Sequence, residues 1–276
     1  MNSSPLVLFV DDDRDTRELY RLIFEMAGYA VADAGTIAEA VRLARLSAPL
    51  VAVCDWCLPD GDGLDLAAAL RADHPCTLLV ALTGITFDRA GAEVARARGF
   101  SRILEKPILP DALVRAVADL IESDQDRALR ATARRAVEAA AQLRGGSSSS
   151  AATTAEAAAK ILDAASGDCD TVIVVVADDE GRCVAATDSV RTLIGYDQSD
   201  LRLLSMWDLA PASDAPAVRL RWRSLIDSGT QEGRYTLRHR DGSDVAARYY
   251  AVANVAPGLH VSAIAPASRP TPSPAT

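Results

Sequence analysis

The first 120 residues repeat one unit, a short unbroken apolar run followed by a stretch of helical period. Runs at residues 5–10, 29–32, 50–54, 78–82 and 101–104 are too short for helices and do not alternate, which predicts strands buried on both faces. Between them, residues 16–27, 36–46, 64–72, 89–98 and 111–121 place apolar side chains three and four apart, which predicts helices. Leu19, Leu22, Ile23 and Met26 are the expected inward face of the first helix, which Gly28 ends. Ile37, Ala40, Val41 and Ala44 are that of the second. Strict alternation predicts an α/β doubly wound fold, a five-stranded parallel sheet covered by helices on both faces. In such sheets ligands and chemistry gather at the carboxyl ends of the strands.

Asp11, Asp12 and Asp13 follow the first run, Asp55 the third, Thr83 the fourth and Lys106 the fifth. Clustered carboxylates repel unless a divalent, oxygen-seeking cation joins them, so two or three of them with a backbone carbonyl describe a Mg2+ site. Mg2+ there would offset the charge of a phosphoryl group attacked by a carboxylate oxygen, while Thr83 and Lys106 suit the other phosphoryl oxygens. The lysine is informative because, of 29 basic residues, only Lys106 and Lys160 are lysine. A compact ammonium serves a crowded site where a guanidinium fork does not. Taken singly, each feature has a plain reading as a helix cap, a strand-end hydroxyl or a solvated turn. Asp13 is expected to be such a cap. The conjunction at successive strand ends removes the plain readings for the others.

The segments Val10-Asp11-Asp12-Asp13, Asp55-Trp-Cys-Leu-Pro-Asp-Gly-Asp-Gly63, Leu82-Thr83-Gly84 and Glu105-Lys106-Pro107, in that order, resemble a receiver domain of the response-regulator family, of the chemotaxis-receiver kind. The resemblance covers residues 5–122 and implies a flavodoxin-like fold. It implies that Asp55 is the phosphoacceptor and that Asp11, Asp12, Asp55 and the backbone carbonyl of Cys57 hold Mg2+. Thr83 and Lys106 then contact the phosphoryl group. The partner is a histidine kinase or phosphotransfer protein, and the chain is not an enzyme beyond its own phosphotransfer and slow autodephosphorylation. Haloacid-dehalogenase-type phosphatases also combine a nucleophilic Asp, a Thr and a Lys. They carry the nucleophile on the first strand in a D-x-D-x-T pattern, which Asp15-Thr16 breaks.

Two departures from the family pattern matter. Ile103 stands where Tyr or Phe usually reports phosphorylation, and Gly84 where Ala is usual. Side chains two residues after the Asp and after the Thr tune dephosphorylation, and these are Cys57 and Ile85. A thiol is a weak hydrogen-bond partner and isoleucine is none, so a long-lived phosphoryl group is expected.

Residues 124–144 read as an Ala/Arg-rich helix with Leu129, Ala136 and Leu143 seven apart. Barely two heptads favour a connecting helix over a coiled coil. Residues 145–150 are a Gly/Ser linker. Beyond them come a short helix at 155–165, strands at 171–177 and 182–186, helical segments over 189–227, and strands at 233–240, 245–252 and 259–264. Asp241-Gly242 between two of these is a hairpin signal. This predicts an α+β domain with a five-stranded antiparallel sheet and helices on one side. Val174-Val-Val-Ala-Asp-Asp-Glu-Gly181, Leu193-Ile-Gly-Tyr196, Met206-Trp-Asp-Leu209 and Leu237-Arg-His-Arg-Asp-Gly-Ser243 resemble a PAS domain. The expected layout is therefore a receiver at 1–122, a connecting helix and linker at 123–154, a PAS domain at 155–265 and a disordered tail at 266–276.

No cofactor is expected in the PAS half. Residues 217–228 hold no histidine to ligate haem, and no cysteine follows Cys183 for a photoreactive flavin. His239 reads as a solvated strand residue, His260 as an ordinary strand residue, and Trp207 and Trp222 as core or dimer contacts. Five scattered cysteines argue against a disulfide framework, and the Cys54/Cys57 pair lacks the helix start of a redox motif. Residues 1–122 carry 12 basic and 19 acidic residues, a net −7; the whole chain carries −9. No basic field speaks for nucleic acid, and no apolar run approaches the ~20 residues of a membrane span. With no signal peptide at its start, the protein is expected to be cytoplasmic. The expected function is a two-component response regulator acting through protein–protein contacts and homodimeric through its PAS half. The alternative is a sensory adaptor, its PAS domain binding a small ligand and its receiver modulating it.

Overall fold

The computed structural model describes residues 4–84, 89–145, 154–166 and 172–267. They form two compact units that divide between Ser123 and Asp124. The first contains β1 (Leu6–Val10), α1 (Arg14–Met26), β2 (Ala30–Ala34), α2 (Ile37–Leu46) and β3 (Val51–Asp55). A small hairpin of β4 (Cys57–Leu58) and β5 (Gly61–Asp62) leads into α3 (Gly63–Asp73). Then follow β6 (Leu78–Thr83), α4 (Arg89–Ala97), β7 (Phe100–Glu105) and the first part of α5 (Pro110–Gly145). The strands pair in parallel in the order β2-β1-β3-β6-β7. This is the doubly wound, flavodoxin-like sheet that the alternation predicts.

Each strand feeds both faces. Val7 and Phe9 join Phe24, Val53, Leu113 and Val117 beneath α1 and α5, while Leu8 and Val10 join Ala40, Leu66 and Leu70 beneath α2 and α3. Neither face meets water, so the runs are apolar throughout. Chain order reverses direction across the sheet between β1 and β3, so their carboxyl ends flank the crevice where such sheets place their chemistry.

The inward face of α1 differs from the expected one. Tyr20 and Phe24 are buried with Ile23 and Ala27 beside them, whereas Leu19, Leu22 and Met26 are exposed. The ring of Phe9 decides the register: it stacks on Tyr20 at 4.9 Å and lies 6.4 Å from Phe24. Two rings an α-turn apart bury more apolar surface than the leucines could.

The second unit continues α5 from Asp124 and adds α6 (Thr154–Ala165), β8 (Ile173–Asp178), β9 (Cys183–Ala186), α7 (Val190–Ile194), α8 (Gln198–Leu201) and α9 (Ala215–Ser228). β10 (Thr230–Arg238), β11 (Asp244–Ala256) and β12 (Leu259–Pro266) complete it. The sheet is antiparallel and five-stranded, as the strand pattern predicts, in the order β10-β11-β12-β8-β9. The β10–β11 turn is the expected Asp241-Gly242 hairpin, with Gly242 at φ 88°.

Two expectations need correction here. Helices cover both faces of this sheet, not one. Ile173, Val175 and Ala177 face α7, α8 and α9, while Val174 and Val176 face Ala136, Ala140, Ala158 and Ile161. The unbroken apolar run of β8 is the cause, since a one-sided sheet would alternate. Residues 124–145 are accordingly no free connector but a layer of the second unit, which begins at Asp124 rather than 155. Leu129 and Ala133 bury against Ala263 and Ala265. Polar clamps add to this packing: Arg248 grips the Asp126 carboxylate through Nε and Nη2, and Arg130 binds Glu232 in the same forked way. The heptad-spaced stripe is thus spent on the chain's own sheet. Most of the Gly/Ser linker (146–150) and of the expected tail (268–276) lies outside the described residues. Cys54, Cys57 and Cys183 are free thiols.

Candidate functional site

The carboxyl ends of β1, β3, β6 and β7 bring Asp11, Asp55, Thr83 and Lys106 together. Parallel register sets this directly, because Val10 pairs with Cys54, Asp55 with Leu82, and Thr83 with Glu105. Asp11 and Thr83 are buried, and Asp12 is exposed. The ammonium of Lys106 is the hub, with Nζ 2.9 Å from Asp11 Oδ2 and 2.7 Å from Asp55 Oδ2. The Lys106 backbone N–H donates to Thr83 O at 2.7 Å, which fixes the root of the side chain. Burial pulls the Lys106 ammonium down, but hydrogen bonds and charges from Asp11 and Asp55 outweigh it and hold the group above its ordinary value.

Carboxylate oxygens of Asp11, Asp12 and Asp55 lie within 4.8 Å of one another. An all-oxygen set of three carboxylates suits a hard divalent cation such as Mg2+ and does not suit a soft one. The residues present therefore fit the ion that the family resemblance implies. Cys57, the fourth expected ligand through its carbonyl, stands at the mouth of the cluster, its N–H donating to Asp55 Oδ1 at 3.3 Å. Ile85 lies outside the described residues.

Local structure explains why the loops hold. Asp13 caps α1, accepting from Thr16 and Asp15, and those bonds keep its carboxyl below the ordinary range. Asp62 and Asp65 form a capping box at α3. Ile103 packs, partly buried, against the apolar cluster beneath α2 and α3, and a Cβ at Gly84 would meet nothing within 4 Å. Burial pushes the Cys54 thiol up to about 12, so the Cys54/Cys57 pair has no poised thiolate on its buried side.

Two contributors escaped the sequence reading. Asp60 accepts the N–H groups of Ile37 and Ala38, tying the β4–β5 hairpin to the start of α2. Its only signal was an acid between Pro59 and Gly61. Arg17 reaches back from α1 to the backbone of the acidic loop. In an arginine-rich chain, nothing marked it.

In the second unit, His239 is no solvated residue. Its ring packs where a Cβ on Gly195 would come within 2.8 Å, and Nδ1 lies 2.8 Å from Asp241 Oδ1. His260 is fully buried, with Nε2 2.9 Å from Asp179 Oδ1 and the edge of its ring on Trp222. Trp222 is a core residue whose Nε1–H donates to Asp179 O, and Trp207 lies under the Arg219 guanidinium at 4.9 Å. Between α9 and the sheet lies a cavity of about 40 Å³ lined by Met206, Trp222, Leu225, Tyr235 and Tyr249.

Residues 7–118 match the family described as response regulator receiver domain, and residues 168–256 the PAS fold. An uncharacterized 14.6 kDa protein of Leptolyngbya boryana is 35% identical over 112 residues, 40% of this chain and 86% of its own length. The C4-dicarboxylate transport transcriptional regulatory protein DctD of Rhizobium meliloti is 32% identical over 144 residues, 51% of this chain. This chain spans only 31% of that relative. Among solved structures, the chemotaxis response regulator CheY4 of Vibrio cholerae aligns with a TM-score of 0.41 and 27% identity, covering 43% of this chain and 99% of that one.

Proposed function

Because residues 7–118 belong to the response regulator receiver family and residues 168–256 to the PAS fold, we propose that this two-component response regulator is phosphorylated on Asp55 by a histidine kinase or phosphotransfer protein, with Mg2+, and acts through protein–protein contacts of its PAS half. The observation that carries the reading is the Lys106 ammonium bridging Asp11 and Asp55 with Asp12 in the same cluster.

A carboxylate oxygen of Asp55 attacks phosphorus. The O–P bond forms as the P–N bond of the phosphohistidine breaks, and the imidazole leaves with the electron pair. Lys106 holds the Asp55 carboxylate through its 2.7 Å ion pair before transfer and offers its ammonium to a phosphoryl oxygen afterwards, with the Thr83 hydroxyl as a second donor. When bound by Asp11, Asp12, Asp55 and the Cys57 carbonyl, Mg2+ supplies charge neutralisation for the phosphoryl oxygens. Cys57 and Ile85 give little help to an attacking water, which makes autodephosphorylation slow. No turnover beyond this self-phosphorylation and slow hydrolysis is proposed.

The cavity of about 40 Å³ beneath α9 holds a water or two, whereas a second pocket of about 480 Å³ opens between α6 and β9, lined by Leu162, Val184, Thr187, Gln198 and Arg202, and is of small-molecule size. Output by contact therefore rests on the PAS resemblance and not on the size of the interior. Self-association of this half is part of the proposal, through a surface other than the buried Leu129–Ala136 stripe; a strict monomer by light scattering at high concentration would remove that part. No helix among the described residues is long and apolar enough to cross a membrane, which agrees with the proposed cytoplasmic location. The central test is label from acetyl phosphate or a phosphorylated kinase, with and without Mg2+. Wild type takes label only with Mg2+, and Asp55→Asn takes none. Equal labelling of both proteins defeats the assignment.

A further inference from the structure

Asp12 presents a problem of positioning. Its carboxylate is exposed on the loop after β1, and among the described residues no hydrogen bond holds that side chain. Asp11 is different: Oδ1 accepts from the Asp13 N–H at 3.0 Å and Oδ2 from Lys106. Asp12 can be aimed only through its backbone, and one side chain grips that backbone. Nη1 of Arg17 donates to the carbonyl of Asp11 at 2.8 Å and to that of Asp12 at 3.1 Å.

The guanidinium is itself held. Its Nε lies 3.4 Å from Asp33 Oδ2 at the end of β2, and its side chain is only 18% exposed. Gly35 makes the room, since a Cβ there would stand 3.1 Å from Nη1 and 3.4 Å from the guanidinium carbon. Three chain segments (the acidic loop, the first turns of α1 and the end of β2) thus meet at one planar fork. The fork also places a fixed positive charge against the backbone of the acidic loop.

From this geometry we propose that Arg17 is a positioning residue for the metal site, a clamp that holds the Asp11–Asp12 backbone so that both carboxylates stay aimed at Mg2+. The inference rests on the reading of this cluster as a Mg2+-dependent phosphorylation site. It needs the fork and not merely the charge, because a single ammonium cannot serve two carbonyls and Asp33 in one plane.

The test is calorimetric titration of the full chain with Mg2+, alongside thermal unfolding without Mg2+ and labelling from acetyl phosphate. Arg17→Ala raises the Mg2+ dissociation constant about tenfold, the usual scale for groups that orient metal ligands. Labelling falls at low Mg2+ and recovers at saturating Mg2+, because Asp55 and Lys106 are intact. Arg17→Lys fails to restore affinity. Asp33→Asn and Gly35→Ala disturb the clamp without removing it and raise the constant about threefold, a fraction of that tenfold effect. Wild-type affinity in Arg17→Ala, or full rescue by lysine, overturns the proposal. Should Arg17→Ala not fold, unchanged affinity in both Asp33→Asn and Gly35→Ala overturns it equally. A wild-type chain that binds no Mg2+ and takes no label removes the functional reading, and the clamp with it. Binding and labelling in wild type with no change in the variants removes the clamp alone.

Discussion

The receiver half concentrates its charged chemistry, and the PAS half spreads its own along seams. In the first, Asp11, Asp12, Asp55 and Lys106 converge on one point at the strand ends, above a sheet apolar on both faces. In the second, Arg248–Asp126, Arg130–Glu232 and His260–Asp179 each join elements far apart in sequence, and no three acids gather among the described residues. Converging carboxylates store repulsion that a cation can relieve, which makes a site. Dispersed pairs are satisfied where they stand, which makes a scaffold.

The largest effect expected from this contrast is in the first half alone. Asp12→Ala abolishes Mg2+ binding by calorimetry while amide exchange in β8 and β12 keeps its wild-type rates. Faster exchange there would break the separation of roles. Next comes Leu129, buried to 1% between α5 and the PAS sheet. Leu129→Ala costs about 3 kcal/mol by lost burial and the cavity left behind. Exchange in β8 and β12 then accelerates by roughly a hundredfold or more, and labelling of Asp55 at saturating Mg2+ is unchanged.

The same contrast explains what could be read from residues alone. The receiver site was legible because parallel register converts a residue's place at the end of a run into a place in space, so Asp11, Asp55, Thr83 and Lys106 needed no tertiary information. The face of α1 was misread because Leu19, Leu22 and Met26 fit a helical stripe as well as Tyr20 and Phe24 do; only the ring of Phe9 chooses between them. Arg17 and Asp60 were invisible because they bind backbone groups, which no side-chain pattern encodes. In the PAS half the hairpin at Asp241-Gly242 was local and legible. The burial of His260 and the docking of residues 124–145 depend on partners about 80 to 140 positions away.

A third effect sharpens the receiver side. Cys57 is exposed beside Asp55, and its thiol is a poor partner for an in-line water. Replacing it by a residue that hydrogen-bonds water, Cys57→Asn, shortens the life of the phosphoryl group by up to about a hundredfold, the usual scale of one positioning or proton-transfer function. Decay of labelled protein in Mg2+ buffer measures it. Loss from wild type within seconds, without any phosphatase, refutes slow hydrolysis.

The smallest effect belongs to the seam at His260. The Asn254 N–H, 3.3 Å from Nδ1, can only donate, so Nδ1 accepts and the ring hydrogen sits on Nε2, facing Asp179 Oδ1 at 2.9 Å. Asn254 holds a φ of 52°, unusual for a residue with a side chain, and its N–H reaches the ring from that turn. Asp179 is needed here as an acceptor and not as a charge. Its side chain is 61% exposed, so water screens whatever the charge contributes. Asp179→Asn keeps an acceptor oxygen and costs less than about 1 kcal/mol in unfolding of the full chain. Asp179→Leu removes the acceptor, leaves a buried ring N–H unpaired, and costs more, about 1–3 kcal/mol. The ordering is the test. An asparagine variant as damaged as the leucine one would mean that the pair acts through charge. The PAS half would then hold an electrostatic centre of its own, and the contrast between a charged site and a satisfied scaffold would fail.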